Sequence, residues 1–251
     1  MKIKKILVSQ PRPAGDKSPY FDIAAKHGLE IVFRPFIKTE GLTAKEFRQQ
    51  KISLADYTAV ILTSRAAIDN YFRLAEETRF KVPDTMRYIC TSEAIALYLQ
   101  KYIVYRKRKI SFGATGKLND PQMLAALDKN KKEKFLFPVS DVDTADMSLF
   151  ADNKLDVTKA VVFRTVSNDF QPDEDKDYDL FLFFSPQGIE SLKKNIPELH
   201  QTDEGPFIGG FGPKTIKSIE DAGLRVDIAA PTPEYRSMTD ALNAFLDKKL
   251  G

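Results

Sequence analysis

The sequence predicts an α/β fold with two similar lobes, each a parallel sheet flanked by helices, joined by two connectors. Short β-branched or aromatic runs alternate along the 251 residues with stretches of helical periodicity, which is typical of parallel sheets. Similar segments also recur at nearly constant spacing. This recurrence indicates that one strand–helix unit occurs twice.

Nine segments have the composition of strands, and helical patterns lie between most of them. Apolar residues three or four positions apart predict helices through Ile68 and Tyr71 and through Ile216 and Ile219. The predicted strands are residues 5–9, 30–36, 59–63, 87–91, 134–139, 160–166, 180–185, 206–210 and 225–230.

The clearest repeat surrounds Ser64 and Ser185, each of which follows the apolar part of a predicted strand. An Asp-Tyr pair precedes both strands at the same offset of 121 residues, and at this offset residues 93–95 align with residues 214–216. A strand–loop–helix–strand–loop–helix unit is therefore predicted to occur twice.

A second repeat, the sequence Val-Phe-Arg, recurs at an offset of 130. Together the two repeats predict a duplicated unit of about 120 residues. A polar connector follows each copy, at residues 38–56 and 167–177. The second connector is acidic and has no apolar period, so it is interpreted as a linker. Periodicity alone leaves open a division into contiguous halves, residues 1–125 and 126–251.

Composition excludes several classes of protein. The 38 Lys and Arg residues nearly balance 35 Asp and Glu residues, so a net charge of +3 favours neither a nucleic-acid partner nor a membrane surface. The single Cys90 cannot form an intramolecular disulfide, and two histidines cannot complete a zinc or redox-metal site. We expect a reducing compartment and no cofactor. The short apolar run at residues 6–8 predicts no signal peptide, so a cytoplasmic location is expected.

Four loops directly follow apolar strands and lead into predicted helices. At this end of a parallel sheet, the first helix N–H groups are unpaired and suit carboxylates or phosphates. Ser64, Ser92 and Ser185 are alternatively helix N-caps, a role that still leaves neighbouring N–H groups for a ligand. The loops are residues 63–65, 91–93, 185–188 and 212–215.

Two other patterns resemble nucleotide or nucleic-acid sites but favour structural roles. Residues 209–215 lack the glycine that a Walker loop needs before its lysine, because Pro213 intervenes, and Thr215 replaces the third Rossmann glycine. The basic run 101–109 is interpreted as a helix end followed by an edge strand with Tyr105 buried. A nucleic-acid surface is the alternative interpretation.

Catalytic histidine or paired-carboxylate chemistry is not favoured. His27 and His200 are interpreted as surface residues, so a Ser–His–Asp arrangement is not predicted. Asp141, Asp143 and Asp146 are interpreted as a charge cluster at a helix start rather than as an acid/base pair.

Four segments together carry a family resemblance. They are AVILTSRAAIDNYF (59–72), VVFRTV (161–166), FLFFSPQGIESL (181–192) and GGFGPKTIKSIEDAGLRVDIAAPTPEYRSMTDAL (209–242). In this order they resemble uroporphyrinogen-III synthases, cofactor-free enzymes that close a linear tetrapyrrole. The resemblance implies a discontinuous division, with residues 1–37 plus 168–251 in one α/β lobe and residues 38–167 in the other.

The resemblance also implies an activity. Hydroxymethylbilane, which carries eight carboxylates, binds between the lobes in this family, loses its terminal hydroxyl as water and closes with ring D inverted. An azafulvene cation and a spiro intermediate lie on the path. Such chemistry needs a proton donor, a positioned ring and anchors for carboxylates. The expected partner is this small molecule, and neither a nucleic acid nor a membrane is expected to bind. The protein is expected to be a monomer.

Individual roles follow from positions that match the family's motifs. Thr215 and Tyr235 are the expected catalytic residues, while Arg12, Arg65 and Lys214 are the expected carboxylate anchors. The expected substrate-binding residues are Arg12, Thr63, Ser64, Arg65, Ser92, Phe163, Ser185, Pro186, Gln187, Gly212, Lys214 and Ser237.

Two residues depart from the family's pattern. Phe163 stands where the family commonly has a tyrosine that is the favoured proton donor, and Ala94 stands where its first repeat has threonine. Tyr235, a water held by Thr215, or the substrate's own carboxyl groups are the alternative donors. A non-catalytic two-lobed binding protein for an anionic small molecule or tetrapyrrole is the alternative function.

Overall fold

A computed structural model describes residues 3–15 and 17–250. The strands are β1 (Lys5–Val8), β2 (Glu30–Phe33), β3 (Ile37–Gly41), β4 (Ala59–Leu62), β5 (Arg87–Cys90), β6 (Ile110–Phe112), β7 (Phe135–Ser140), β8 (Val157–Ser167), β9 (Leu180–Phe183), β10 (Phe207–Phe211) and β11 (Ile228–Ala230). The helices are α1 (Pro19–His27), α2 (Ala44–Arg48), α3 (Arg65–Glu77), α4 (Glu93–Tyr98), α5 (Pro121–Lys129), α6 (Ser148–Asp152), α7 (Pro186–Asn195), α8 (Pro213–Asp221) and α9 (Met238–Leu250). Short 3-10 helices occupy Leu54–Asp56 and Leu99–Lys101.

The described residues form two compact units. The terminal unit contains those up to Lys38 and from Val166 onward, and the central unit is Thr39–Thr165. The five-stranded sheet has the order β11-β10-β9-β1-β2, and the six-stranded sheet has the order β3-β8-β7-β4-β5-β6. Every strand pair with a described register is parallel. The predicted α/β class is confirmed, and parallel strand pairs predominate in both sheets.

The two sheets share one strand order. From one edge, β11-β10-β9-β1-β2 corresponds to β6-β5-β4-β7-β8, and β3 is an additional edge strand. In the chain, β1 and β2 precede the other strands of their sheet, whereas β7 and β8 follow β4 to β6 of theirs. One sheet is therefore assembled from both ends of the chain and the other from its middle.

The helix caps refine the repeat that the sequence indicates. Ser64 and Ser185 cap α3 and α7 and are 121 residues apart, in agreement with the sequence alignment. Ser92 and Gly212 cap α4 and α8 and are 120 residues apart. The predicted offset of 121 was therefore wrong for this second helix pair.

A shorter connection in the terminal unit explains the difference. Ala59 pairs with Arg87 in the central sheet, whereas Leu180 pairs with Phe207 in the terminal sheet, so the second connection is one residue shorter. The counterpart of Thr215 within this chain is consequently Ile95 rather than Ala94.

Two strands were missed because their sequences lack an apolar run. The three central residues of β3 are exposed, and β6 has only three residues after a basic segment. Edge strands bury little surface, so alternation is weak in them. The expectation of an edge strand over Tyr105 was wrong, since Tyr105 lies in a loop before β6 and is half-buried.

The predicted connector 38–56 contains regular structure. It includes β3, α2 and a 3-10 helix, and its burial of Phe47 and Leu54 accounts for this order. Thr43 and Glu46 form a capping box at α2, in which the Thr43 side chain accepts from the Glu46 amide and the Glu46 side chain accepts from the Thr43 amide.

The second connector has no helix or strand after Ser167, as the sequence predicted. Arg34 holds it in place, because its guanidinium donates to the carbonyls of Asn168 at 2.7 Å and Asp169 at 2.9 Å. The same guanidinium lies 3.7 Å from the Phe170 ring centroid and is paired with Glu174. The arginine thus replaces the backbone bonds that a regular element would supply.

Both faces of each sheet are covered by apolar side chains. All four residues of β4 and all four of β9 are buried, as expected for central strands with helices on both faces. Within residues 3–15 and 17–250, none of the helices combines the length and the apolar character that crossing a bilayer requires.

Truncation of Phe36 should destabilise the terminal unit. Phe36 is fully buried, and its ring packs edge-on against Phe170 at 5.3 Å and Phe183 at 5.1 Å between centroids. We expect Phe36→Ala to lower the free energy of unfolding by about 3–5 kcal/mol in urea titrations. Val104→Ala, at a side chain 77% exposed, should change it by less than about 0.5 kcal/mol. Equal effects would contradict the assigned packing.

The Glu46 carboxyl should titrate far below its ordinary pKa. Hydrogen bonds from the Thr43 amide, the Thr43 hydroxyl and Arg164 lower the pKa of Glu46 from 4.5 to about 2. Because the folded-state pKa is depressed, these bonds stabilise the fold above pH 4.5 and are lost as the pH falls toward 2. Carbon NMR of the carboxyl group should show this value.

Arg164→Gln should raise the Glu46 pKa because it removes the charged donor among the three described donors to this carboxylate. Lys45→Gln is the control, since it removes a neighbouring charge and leaves those hydrogen bonds in place. An ordinary pKa for Glu46 in the unmodified protein would refute the assigned network.

Candidate functional site

Most predicted site residues lie in loops after the carboxyl ends of strands. Those of the central unit are Thr63, Ser64 and Arg65 between β4 and α3, Ser92 between β5 and α4, and Phe163 within β8. Those of the terminal unit are Arg12 after β1, Ser185, Pro186 and Gln187 at the start of α7, Gly212, Lys214 and Thr215 at the start of α8, and Tyr235 and Ser237 before α9. Because the strands are parallel, the loops of each sheet share one edge.

Four serines are helix caps, two at the strand-end edge of each sheet. The Oγ atom of Ser64 accepts from Ala67 N at 3.1 Å, and that of Ser92 accepts from Ile95 N at 3.4 Å. The Oγ atom of Ser185 accepts from Gly188 N at 3.2 Å, and that of Ser237 accepts from Asp240 N at 3.1 Å. Each cap satisfies one N–H group, so the first amides of these helices stay oriented outward for an anion.

The start of α8 is built without a side-chain cap. Gly212 has φ +89°, a conformation that favours glycine, and Pro213 occupies the first helical turn. Pro186 has the same position in α7. Because proline has no N–H, the outward amides at these two sites begin with Gln187 and Lys214.

Three cations at these strand ends have no carboxylate within ion-pair distance among the described residues. They are Arg12, Arg65 and Lys214, and all three side chains are exposed. The guanidinium of Arg12 lies 5.1 Å from the Phe21 ring centroid, and that of Arg65 lies 5.1 Å from the Tyr98 ring centroid. A guanidinium near the face of an aromatic ring keeps N–H donors available, so these groups can bind carboxylates.

The two expected catalytic residues differ in access. Thr215 is only 2% exposed, because it lies on the face of α8 that packs against the sheet. Tyr235 is half-buried and lines a groove of about 570 Å³ beside β11 and α9. Its hydroxyl donates to Glu234 at 2.8 Å, and this hydrogen bond raises the Tyr235 pKa, so the phenol keeps its proton at neutral pH.

Phe163 is partly buried and packs against the core of the central unit. It offers no acidic proton. Its carbonyl accepts from the amide of Asp141, and Asp141 Oδ1 accepts from Thr165 N at 3.0 Å. Asp141 therefore directly follows β7, a central strand, and is an acidic side chain at the strand-end edge that was predicted to lie at a helix start.

The three aspartates after β7 were predicted to form one cluster at a helix start, and this prediction was wrong for two of them. Asp146 accepts from Ser148 N at the first turn of α6, in agreement with that expectation. Asp143 instead pairs with Lys159, and Asp141 belongs to the strand end. The position of Asp141 directly after the buried run FLFPVS was the signal available in the sequence.

The histidine interpretation was partly wrong. His200 is exposed, but the side chain of His27 is only 8% exposed, with Nε2 3.2 Å from Asn243 Oδ1 and 3.5 Å from Asp247. The last turn of α1 packs on α9, and residues of α9 cover the His27 side chain. Neither histidine lies with the strand-end loops, and no cluster of His, Cys, Asp and Glu in the described ranges could hold a metal ion.

Comparison with known proteins places these features in a family. A family model described as uroporphyrinogen-III synthase HemD matches residues 20–240. A solved uroporphyrinogen-III synthetase from Helicobacter pylori 26695 aligns with TM-score 0.53 and 13% identity over 99% of each chain. No curated protein matches the sequence.

Two structures of uroporphyrinogen III synthase from Thermus thermophilus also align, both at 13% identity. One, a mutant form of that enzyme, has a TM-score of 0.46 over 98% of each chain. The other has a TM-score of 0.39 over 99% of this chain and 100% of the other. The Helicobacter structure supports the same overall fold, and the family model spans most of the chain.

Removal of the Ser64 hydroxyl should cost one helix cap. We expect Ser64→Ala to lower the free energy of unfolding by about 1 kcal/mol, because Ala67 N loses its acceptor. Ser64→Asp should retain stability, since aspartate is an equally good cap. Ser53→Ala is the matched control, because Ser53 precedes a 3-10 helix without a side-chain cap bond. Equal losses at both serines in urea titrations would contradict the capping role.

Proposed function

Because the chain belongs to the uroporphyrinogen-III synthase family, we propose that its strand-end loops bind the carboxylates of hydroxymethylbilane and hold it for ring closure. The family's reaction makes the protein a cyclising lyase of tetrapyrrole (haem) biosynthesis. It removes water from hydroxymethylbilane and closes the macrocycle with ring D inverted. The proposal concerns which residues of this chain carry out that reaction.

The observation that supports the proposal most is the chemistry of the strand-end edge in each unit. Outward helix amides occur there together with Arg12, Arg65 and Lys214, whose positive charges are unpaired within the described ranges. Carboxylates are the natural ligands of guanidinium groups and helix N-termini. A substrate with eight carboxylates can use many such contacts at once, and each contact fixes part of its orientation.

Ring closure begins when the terminal hydroxyl leaves as water and the pyrrole nitrogen supplies electrons to form an azafulvene cation. The substituted carbon of ring D then attacks this cation and gives a spiro intermediate. Fragmentation of that intermediate and a second closure place ring D in the inverted orientation. The protein must supply one proton to the leaving hydroxyl and must hold ring D against the cation.

We propose Tyr235 as the first candidate for the proton donor. Its phenol is protonated at neutral pH and partly accessible, whereas Thr215 is almost completely buried. Thr215 then supports the start of α8, where Lys214 is the carboxylate anchor. Because Phe163 cannot donate a proton, its proposed role is an apolar contact with the substrate.

The remaining expected binding residues are assigned by the same argument. Amides and hydroxyls at the helix starts are proposed to receive substrate carboxylates, and the prolines and Gly212 shape those turns. They are Thr63, Ser64, Ser92, Ser185, Pro186, Gln187, Gly212 and Ser237.

We also propose that this chain divides into two lobes, with residues 1–37 plus 168–251 in one and residues 38–167 in the other. The shared strand order of the two sheets supports this division.

A cytoplasmic, monomeric enzyme is proposed as well. The single cysteine, Cys90, is buried and reduced, which supports a reducing compartment. Sedimentation of the purified protein at several concentrations tests the monomeric state.

Isomer analysis tests the proposed function. Hydroxymethylbilane is generated in situ, the protein is added, and the oxidised uroporphyrin isomers are separated by chromatography. We expect predominantly isomer III. Isomer I at the level found without enzyme, from a protein with normal circular dichroism, would refute the synthase activity and favour a non-catalytic binding protein.

Charge removal at the strand ends should weaken substrate binding. We expect Arg65→Gln and Lys214→Gln each to raise KM several-fold, because each removes one charge-assisted hydrogen bond to a carboxylate. Lys132→Gln, an exposed lysine before the amino end of β7, is the matched control and should leave KM unchanged. Equal changes in all three variants would indicate a non-specific charge effect and overturn the assigned anchors.

A further inference from the structure

Arg65 is the first residue of α3 and has an aromatic platform beneath it. Its guanidinium carbon lies 5.1 Å from the ring centroid of Tyr98, the last residue of α4. A cation near the face of a tyrosine ring is attracted by the electron density of the ring. The contact limits the rotamers of a long side chain that is otherwise exposed to solvent.

The Tyr98 ring is itself held by a carboxylate. Its hydroxyl donates to both oxygens of Asp69 at 3.0 Å. Asp69 lies one helical turn after Arg65 on α3, and it also accepts from Lys101 Nζ at 3.0 Å and from the Tyr102 hydroxyl. The Tyr102 ring stacks on Phe72 at 4.5 Å, which fixes this donor in turn.

Among the described residues, Asp69 forms no ion pair with Arg65. Residues four positions apart on a helix face can pair, but here the described ion pair of Asp69 is with Lys101. Partial burial would raise the Asp69 pKa, yet hydrogen bonds from Tyr102, Lys101 and Tyr98 lower it overall, so the carboxylate is charged at neutral pH. The Arg65 guanidinium is therefore available to bind another anion.

The terminal unit shows that the fold does not require this arrangement. By the helix caps, the counterparts of Arg65, Asp69 and Tyr98 are Pro186, Glu190 and Ser218, which cannot form it. The two sheets nevertheless share their strand order. A feature that one copy has and the other lacks is better explained by a ligand-binding role than by folding.

We propose that Tyr98, anchored by Asp69, is a positioning residue that holds the Arg65 guanidinium in the orientation in which it binds a substrate carboxylate. This inference rests on the proposed function, because it assigns a partner to one anchor of that site. Tyr98 acts through Arg65 and needs no contact with the substrate. Its contribution should disappear when the guanidinium is absent.

A double-mutant cycle tests the inference. We expect Tyr98→Leu to raise KM about two- to fivefold with kcat nearly unchanged, the size expected for an exposed cation–ring contact. In an Arg65→Gln background, the same substitution should have no further effect on KM. Tyr105→Leu, in the loop that follows, is the matched control and should leave KM unchanged. Additive effects of Tyr98→Leu and Arg65→Gln would overturn the proposal.

A structural readout keeps the test valid if Tyr98→Leu folds poorly. The Arg65 side-chain proton resonances should carry a ring-current shift that Tyr98→Phe retains in part, because the ring persists without its anchor, and that Tyr105→Leu leaves unchanged. Unshifted Arg65 resonances in the unmodified protein would show that the ring does not hold the guanidinium.

Failure of the proposed function gives a different pattern. The dissociation constant of uroporphyrin I, a stable octacarboxylate, can be measured by fluorescence for the four proteins of the cycle: the unmodified protein, Tyr98→Leu, Arg65→Gln and the double variant. If the protein makes only isomer I but Tyr98→Leu weakens uroporphyrin binding solely when Arg65 is present, the synthase function fails and the positioning role stands. If isomer III forms and that coupling is absent, the positioning role fails alone.

Discussion

Parallel strands impose the constraint on which the rest of the structure depends. Every strand of a parallel sheet ends at the same edge, and each helix that follows begins there with unpaired N–H groups. In each unit this edge gathers the start of helices such as α3 and α7, together with cations that pair with no carboxylate in the described ranges. The outward N–H groups at this edge therefore follow from topology before any particular side chain is considered.

The two units share this topology but differ in the chemistry of their loops. The central unit has Arg65 on the Tyr98 ring, where the terminal unit has a proline at the start of α7. The terminal unit instead has Lys214 at the start of α8 and Tyr235 in the loop before α9. The shared strand order preserves the edge in both copies, while the loop residues give each copy its own charges and hydrogen-bond donors.

Much of this organisation was predictable because buried parallel strands leave a strong signal. The fully apolar runs of β4 and β9 and the serines after them were recognised, and so was the repeat that relates them. The exposed edge strand β3 and the three-residue β6 were missed, since short edge strands bury too little to show a pattern. A one-residue difference between the copies was not predicted, because it is defined by the helix caps and the strand registers of the structure.

The site was predictable at the level of loops but not of contacts. Helix periodicity could place Asp69 on one face with Arg65, but it could not bring Tyr98, on a different helix further along the chain, to both of them. The burial of His27 by α9 depends in the same way on packing between distant segments. Such contacts are set by the tertiary fold, and local sequence patterns contain no information about them.

We propose that the strand-end edge of each unit binds substrate carboxylates. Its most direct test is a titration of the isotope-labelled protein with reduced uroporphyrinogen III under anaerobic conditions, followed by amide NMR. We expect the largest shifts at the first amides of α3, α7 and α8, including those of Arg65, Gln187 and Lys214. Shifts confined to the groove beside β11 or to the basic loop 101–109, with these amides unchanged, would contradict it.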